Sequence, residues 1–522
     1  MSSVPQTAAP TAAAKPPTIR WPPQIKFIIG NEACERFSYY GIRGILALYI
    51  SVVLFHDLPR GKAKDHATEI IHLWIFANYF SALLGGYLSD KLLGRYYTIF
   101  YVSLVYCLGN LTLALTVGSP WGLYAGLALI ALGSGGIKPC VSAFCGDQFK
   151  PEQSALLQKA YGLFYWSINF GSFFAFLVVP WLKDRLGYYL TVGTWPARGF
   201  EITDLNSPAA VWGYRLAFGV PGALMLLATL IFWLGRKYYR RIPPSSHTKS
   251  TGFMKVSWFA LKSLGRRRPG QSVWDLARER FSEREVEAAR SVGPILAVFA
   301  PITLFWALFD QSSSTWVMQG DKMRPFFAFA TATSEGFKIG AEQMQSMNPL
   351  LVMALVPLTL WLYPRIEQLL GIRVSPLRRM GTGLVLAALS YVVVGVLQTR
   401  VDAGIEMSVL WQTLPYFILT TGEVLLSTTG LEFAFTQAAA EMKSTIMSFW
   451  LVTVAIGNLY VPLITKLRGL LIGAAANEAG GAAVNASTFY LYAGLTFAVA
   501  IVFILIAMRY KERQLELSSS RA

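Results

Sequence analysis

Apolar segments long enough to cross a membrane recur through most of the chain. A spanning helix needs about 20 predominantly apolar residues, and twelve segments of the 522-residue sequence reach that length. They lie near residues 24–54, 68–91, 94–116, 121–146, 158–182, 211–237, 292–318, 343–364, 376–398, 408–434, 443–466 and 486–508. Only 14% of the residues are charged, whereas soluble domains average roughly 25%. We therefore predict an all-α polytopic membrane protein with twelve transmembrane helices.

A long basic connection separates the sixth apolar segment from the seventh. It contains Arg240, Arg241 and the run from Arg266 to Arg268, and positive charges of this kind are retained on the cytoplasmic side. We therefore predict a multi-pass protein of the plasma (inner) membrane with both termini in the cytoplasm. The predicted division is a disordered cytoplasmic tail over 1–22, a six-helix bundle over 23–237, a cytoplasmic linker with amphipathic lateral helices over 238–291, a second six-helix bundle over 292–510, and a cytoplasmic tail over 511–522. Two such bundles are expected to face each other across a central cavity.

The formal net charge of +17 raises the question of nucleic-acid binding. Most of the excess lies in short connections and in the linker between apolar segments, so it is explained by membrane orientation. We predict the lipid bilayer as a partner and no nucleic-acid partner. A catalytic function is not predicted either, because the sequence contains no phosphate-binding glycine loop, no nucleophile elbow and no metal-ligand cluster. Neither a cofactor nor a metal is therefore expected.

Four charged side chains lie between Asn31 and Arg43 in the first apolar segment. Placed on a helix, these charges and two tyrosines fall within an arc of roughly 140°; the six residues are Glu32, Glu35, Arg36, Tyr39, Tyr40 and Arg43. A charge in the centre of a bilayer costs roughly 3 kcal/mol on insertion scales. The pattern therefore predicts that this face of the helix lines a wet interior cavity.

Further polar side chains occur inside other apolar segments: Lys138, Asn169, Asp310, Asn348 and Glu423. Together with the first segment they give three positive and four negative charges, so one added proton would neutralise the set. A zwitterion could meet Arg36 and Lys138 with its carboxylate and Glu423 with its ammonium group. A static buried ion-pair network is often no more stable than an apolar replacement, which favours a functional role for these charges.

Simpler interpretations are open for the uncharged candidates. Asn169, Asn348 and Ser427 could be ordinary hydrogen-bonding groups between helices. Five aromatic side chains could be plain packing residues, namely Tyr39, Tyr40, Tyr79, Trp306 and Trp450. The four histidines, His56, His66, His72 and His247, are predicted in loops or at helix ends and are not predicted to carry protons.

Several motifs resemble those of the proton-dependent oligopeptide transporter family of the major facilitator superfamily. In the first half they are Glu32-x-x-Glu35-Arg36-Phe37-x-Tyr39-Tyr40-Gly41, Gly135-Gly-Ile-Lys138-Pro and Phe164-Tyr-x-x-Ile-Asn169-x-Gly-Ser. In the second half they are Phe305-Trp-Ala-Leu-Phe-Asp310-Gln311, Asn348-Pro349 and Gly422-Glu423-Val-Leu-Leu-Ser. The connection Gly85-Gly-Tyr-Leu-Ser-Asp90, followed by Gly94-Arg95, resembles the loop signature of the superfamily. The resemblance covers residues 24–510 and implies the major facilitator fold.

The resemblance also implies a function and residue roles. The function is proton-coupled symport of di- and tripeptides by alternating access, with short peptides and protons as partners. Substrate binding would fall to Arg36, Tyr40, Tyr79, Lys138, Asn169, Trp306, Asn348, Glu423 and Trp450. Proton coupling and gating would fall to Glu32, Glu35, Arg43 and Asp310, with Arg43 paired to Asp310.

Two other functions fit the same architecture. A membrane sensor could bind peptides without transporting them, and a facilitator-type transporter could carry a non-peptide substrate. A drug exporter would be expected to bind cations in an acidic apolar cavity, rather than to place Arg36 and Lys138 beside Glu423. We expect a monomer, and we assign no role to the connection from Lys183 to Ala210.

Overall fold

The computed structural model describes residues 21–150, 153–196, 207–244, 253–268, 270–329, 336–371, 374–437, 443–472 and 484–510. Apart from residues 21 and 22, the two predicted tails lie outside this part of the chain. The fold is helical throughout, as the apolar pattern predicted. One small element was not predicted, an antiparallel pair of three-residue strands, β1 (Phe326–Ala328) and β2 (Phe337–Ile339).

Six long helices and one short helix form the first half. They are α1 (Ile25–Leu48), α2 (Arg60–Tyr87), α3 (Arg95–Leu115), α4 (Pro120–Asp147), α5 (Ser154–Trp181), the short α6 (Gly187–Val192) and α7 (Pro208–Leu234). The starts of α4 and α7 are fixed by their sequences. Ser119 and Ser207 each accept a hydrogen bond from a backbone N–H of the first turn, and each is followed by a proline at the first helical position. Both choices favour helix initiation at that point.

The linker contains three short helices, α8 (Phe253–Lys262), α9 (Val273–Ala277) and α10 (Glu283–Arg290). None is long enough to cross a bilayer. The charged stretch from Val273 to Arg290, within the linker predicted to contain lateral helices, forms two of these short helices. Ser282 and Glu285 form a reciprocal capping box that starts the second of them, and such a cap satisfies two backbone donors at a helix start.

The second half contains α11 (Val292–Phe309), α12 (Thr315–Gly320), α13 (Met347–Leu370), α14 (Pro376–Asp402), α15 (Thr413–Gln437), α16 (Lys443–Ile472) and α17 (Ala486–Arg509). Within the described residues, eleven helical segments have the length and composition to cross a membrane. The tenth predicted span corresponds to α15, which is 25 residues long but is not among the eleven. Its threonines, its serine and Glu423 and Glu432 lower its apolar content.

The seventh predicted span is not one continuous helix. It consists of α11, a tight turn from Asp310 to Ser313, and α12. Ser313 donates to the carbonyl of Asp310 over 2.7 Å, and Ser314 donates to the carbonyl of Gln311 over 3.4 Å. Hydroxyls that bond to nearby backbone groups compete with the regular helical pattern. The break leaves Asp310 at a helix end facing the first half.

The two ends of the bundle are distinguished by their connections. We call the end at the α1–α2 connection, near His56, the outer end. The end from which the chain enters the linker, at Lys237, is called the inner end. Because successive long helices alternate in direction, α5 finishes at the outer end and α13 starts there.

Glycines bring α2 and α4 into backbone contact. A Cβ placed on Gly85 would overlap the carbonyl oxygen of Gly136, and one placed on Gly135 would overlap the carbonyl oxygen of Asn78. Small residues at such crossings let helix backbones approach closely in membranes. The two helices therefore pack as one unit.

Replacing Gly85 with alanine is expected to destabilise the protein by about 1–3 kcal/mol, as overpacked cores are. The obstruction is backbone, so it cannot rotate away. Gly86→Ala is the matched control, since nothing lies within 4 Å of the Cβ it would add, and alanine favours helix over glycine by about 1 kcal/mol. Thermal unfolding in detergent should show a lower midpoint for Gly85→Ala alone. Equal midpoints for the two variants would contradict this packing.

Candidate functional site

Arg36 on α1 binds two carboxylates of its own helix. Its Nε atom lies 2.7 Å from Oε1 of Glu32 and 2.9 Å from Oε2 of Glu35. The other oxygen of Glu35 accepts a hydrogen bond of 2.9 Å from Ser134 on α4. All three charged side chains are buried. The cluster holds two negative charges and one positive charge, so one more proton or cation would balance it.

Lys138 on α4 has a neutral hydrogen-bond partner. Its ammonium group donates to the side-chain carbonyl of Asn78 on α2. It lies 4.1 Å from the centroid of the Tyr39 ring and 4.7 Å from that of Tyr79, and a cation over an aromatic face is stabilised by the ring quadrupole. No described carboxylate lies within 4.0 Å of this ammonium group.

A third cluster joins the two halves of the molecule. Arg43 on α1 lies 2.6 Å from Oδ1 of Asp310, and the other oxygen of Asp310 accepts a 2.7 Å hydrogen bond from Asn458 on α16. His72 on α2 lies 2.7 Å from Oδ1 of Asn458 and 3.0 Å from the hydroxyl of Ser314. Every member is buried, so the cluster is a desolvated chain of charged and neutral groups.

Glu423 on α15 bonds to a neutral group as well. It accepts a 2.6 Å hydrogen bond from the amide of Asn348 on α13, which also donates to Thr420 over 3.2 Å. Among the described residues no cation lies within 4.0 Å of the Glu423 carboxylate. The carboxylate therefore lacks a counter-ion, although its side-chain oxygen is hydrogen-bonded.

The two predicted tryptophans pack against each other near this region. The rings of Trp306 and Trp450 meet edge to face with centroids 6.3 Å apart, and both are buried. The indole N–H of Trp306 has no hydrogen-bond partner among the described residues. This donor could bind a ligand group.

The remaining residues predicted to bind substrate are Tyr40, Tyr79 and Asn169. Tyr40 contacts Tyr39 and Phe176 edge to face and is within electrostatic range of Arg36 and Glu423. Tyr79 lines a cavity of about 340 Å³ that Ser448, Leu451 and Val452 of α16 also line. Asn169 donates to the carbonyl of Tyr165 on its own helix over 3.0 Å. Its described hydrogen bond therefore does not reach Arg36 or Lys138.

Sequence reasoning missed His72, Asn78 and Asn458. The prediction that all four histidines lie in loops or at helix ends was wrong for His72, which is buried in α2 and bonded to the second half. Its position is visible in retrospect, because His72 precedes Tyr79 by two helical turns and shares its face. Asn78 and Asn458 are single amides within apolar segments. Nothing in the sequence pattern indicated that they would bond to Lys138 and Asp310.

Comparison with known proteins gives a consistent result. A family profile described as "PTR2: POT family" matches residues 96–469. Peptide transporter 3 of Caenorhabditis elegans is 34% identical over 399 residues, which cover 74% of this chain and 52% of the relative. Peptide transporter family 1 of Drosophila melanogaster is 37% identical over 402 residues, covering 75% and 48%. The chain thus spans about half the length of the curated relatives it matches.

Solved structures match over nearly the whole chain. The crystal structure of the POT family transporter PepTSo is 38% identical, with a TM-score of 0.80, and the match covers 94% of this chain and 99% of that one. An auto-inhibited POT family peptide transporter is 36% identical with the same TM-score, covering 94% and 98%. Both therefore share the helical arrangement described above.

Proposed function

The chain belongs to the POT family, and from that premise we propose that it carries di- and tripeptides across a membrane together with protons. Transport would proceed by alternating access, in which the two halves open in turn at the outer and inner ends. We further propose that the protein is a monomer of the plasma (inner) membrane with both termini in the cytoplasm. The transporter family supports a transport role rather than catalysis.

One observation carries the peptide assignment. Lys138 and Glu423 are opposite charges in the membrane interior, and each is bonded to a neutral amide instead of a counter-ion. A charge buried without a counter-ion is costly. A short peptide carries a carboxylate and an ammonium group at its two ends, so it could compensate both charges at once. Tyr40, one helical turn after Arg36 and in edge-to-face contact with Phe176, would contact the peptide between its ends.

Arg36 suggests how protons enter this scheme. Its guanidinium is already paired with Glu32 and Glu35, so a peptide carboxylate would compete with two glutamates for this charge. Protonation of either glutamate would weaken one of these contacts and release donors of Arg36 toward the substrate. Proton binding and carboxylate binding would then support each other, which is the requirement for symport.

The cluster of Arg43, Asp310, Asn458 and His72 supports the gating role. Its contacts cross from α1 and α2 to the second half, and they would have to break if the halves separated at this level. Both Asp310 and His72 can bind a proton, which would change the charge of the cluster. We therefore propose that this cluster closes the path toward the outer end and that protonation influences its opening.

Uptake of labelled dialanine into proteoliposomes under an inward proton gradient tests this function. Lys138→Met should raise the half-saturating dialanine concentration about tenfold, the lower bound for losing a charge-assisted hydrogen bond, because Arg36 can still bind the carboxylate. Lys262→Met on the exposed surface of α8 is the matched control and should leave uptake unchanged. Binding of dialanine without gradient-driven accumulation would instead favour a sensor. Failure to bind any short peptide would favour a non-peptide substrate.

A further inference from the structure

A second cluster of charged side chains lies at the outer end, away from the residues assigned to substrate and protons. Lys183 and Asp184 follow α5, in the wide helical turn Leu182–Leu186, and Glu342 precedes α13. The ammonium group of Lys183 lies 2.6 Å from Oε2 of Glu342 and 3.5 Å from Oδ1 of Asp184. The side chains of Lys183 and Glu342 are only 6% and 4% exposed. A buried ion pair therefore joins the two halves here.

Neighbouring groups extend this cluster across the boundary. Lys338 on β2 lies 3.9 Å from Oδ2 of Asp184, and the ring of Tyr214 on α7 lies 5.6 Å from the ammonium group of Lys183. A cavity of about 620 Å³ opens beside them. The other titratable side chains that line it are His56, Lys64, Asp321 and Lys322. Both halves supply walls of this cavity.

The hydrogen bonding of the cluster is incomplete. Oδ1 of Asp184 and Oε1 of Glu342 are buried and have no hydrogen-bond partner among the described residues. A buried ion pair stabilises a fold only when its remaining polar atoms are satisfied, and otherwise is often no better than an apolar contact. This cluster would therefore contribute little to the stability of the fold if its role were purely structural. A contact that must form and break during function is better served by such a marginal arrangement.

A third contact lies at the same level of the boundary. The side-chain amide of Gln345, one helical turn after Glu342, donates to the carbonyl oxygen of Gly44 on α1 over 2.9 Å. Opening of the outer end would have to separate Gly44 from Gln345 and Lys183 from Glu342. In each of these two pairs, one residue belongs to the first half and the other to the second half.

We propose that Lys183, Asp184, Lys338 and Glu342 form a latch, in which Lys183 donates to Glu342 across the boundary, and that this latch holds the outer end closed and is released each time that end opens. The latch adds to the cluster around Arg43 and Asp310, and shares no residue with it. The proposal rests on alternating access as proposed above. It assigns a role to the start of the connection after α5.

The latch also responds to pH, with a sign that follows from burial. Desolvation raises the pKa of the Glu342 carboxyl to about 7, against the attraction of Lys183. Opening would hydrate this carboxyl and return its pKa toward the ordinary value of about 4.3. Between these pH values the closed form binds more protons than the open form, so acidification favours closure. The protonated carboxyl still accepts a hydrogen bond from Lys183, whose charge is then balanced by Asp184. The bridge between the halves therefore persists without the cost of a second buried carboxylate.

Distances between spin labels across the outer end test the latch. Labels would be placed at Asp57→Cys in the first half and Glu406→Cys in the second, both exposed, in the full chain with its four native cysteines replaced and reconstituted in lipid. Lys183→Met leaves the buried carboxylates of Asp184 and Glu342 with Lys338, 3.9 Å from Asp184, as the remaining cation of the latch. This variant should therefore increase the population of molecules with the longer distance between the two labels. Glu342→Gln imitates the protonated carboxyl, so it should favour the shorter distance and remove the pH dependence between pH 4.3 and 7. In the parent protein, the ratio of the closed to the open population should change by no more than tenfold per pH unit, because one proton is involved.

Two further variants keep the test decisive. Lys183→Arg, which keeps a cation that can donate to Glu342, should retain the parental distances. Lys322→Met, a change on the rim of the same cavity, should leave them unaltered. An unchanged distance distribution in Lys183→Met, or an undiminished pH response in Glu342→Gln, would overturn the latch even if dialanine uptake is intact. Absence of peptide uptake with the expected distance changes would instead refute the peptide substrate and support the latch.

Discussion

Replacement of Asp310 with asparagine is expected to reduce gradient-driven dialanine uptake by about 100-fold or more. Asp310 is 3% exposed and is the carboxylate bound to Arg43. Removing one partner of a buried ion pair typically costs about 3–5 kcal/mol, because the other charge is left uncompensated. A cost of that size would shift the balance between closed and open forms by two or more orders of magnitude. The measurement is initial uptake in proteoliposomes under an inward proton gradient.

A double replacement separates function from folding. Arg43→Met with Asp310→Met removes both charges, and such replacements are often neutral for stability. The double variant should regain the unfolding midpoint lost in Asp310→Asn but should not regain uptake. Asp57→Asn, an exposed carboxylate at the outer end, is the control for the single change. Uptake near the parental level in the double variant would show that the pair is merely structural.

Replacement of Glu423 with glutamine is expected to weaken binding of free dialanine by about 30- to 5,000-fold. Loss of one member of a buried charge pair at a binding site costs roughly 2–5 kcal/mol, and no second described carboxylate is bonded to Asn348. The loss of affinity should be confined to peptides that carry a free ammonium group. N-acetylated dialanine, which lacks that charge, should bind the parent poorly and should bind the variant no worse than the parent. Competition against labelled dialanine measures both ligands.

Glu432→Gln is the control on the same helix. Glu432 pairs with Arg379 over 2.9 Å, but its side chain is 48% exposed, and exposed pairs contribute little. Dialanine binding by this variant should match the parent. An equal loss for the free and the acetylated peptide in Glu423→Gln would contradict recognition of the amino end by Glu423.

The helical periodicity of α1 explains why much of the interior could be predicted from sequence. Six polar and aromatic residues at helical spacing were predicted to share one face. Of these, Arg36 binds two carboxylates of its own helix, and Arg43 reaches the second half. A charge within an apolar span is a strong signal because lipid penalises it. The fold itself was predictable for the same reason, through the length of the apolar segments.

Other features depend on contacts in the folded protein that could not be predicted from the sequence. The break after Asp310 arises from serine hydroxyls bonding to nearby carbonyls, and a run of serines at the end of an apolar span looks like an ordinary helix end. His72 was misassigned because the predicted span began near residue 68, whereas α2 begins at Arg60 and places His72 near its middle. A single histidine also gives no periodic pattern. The ion pair of Lys183 with Glu342 joins residues 159 positions apart, and both lie where charged residues usually face water.

The close approach of α2 and α4 has a mechanical consequence. The side-chain oxygen of Asn78 accepts a hydrogen bond from Lys138, and its main-chain oxygen abuts Gly135. His72, two turns earlier on the same helix, contacts Asn458 in the opposite half. No flexible side chain separates the two backbones at Gly85 and Gly136. We therefore expect a displacement of α2 at His72 to be transmitted to Lys138 on α4.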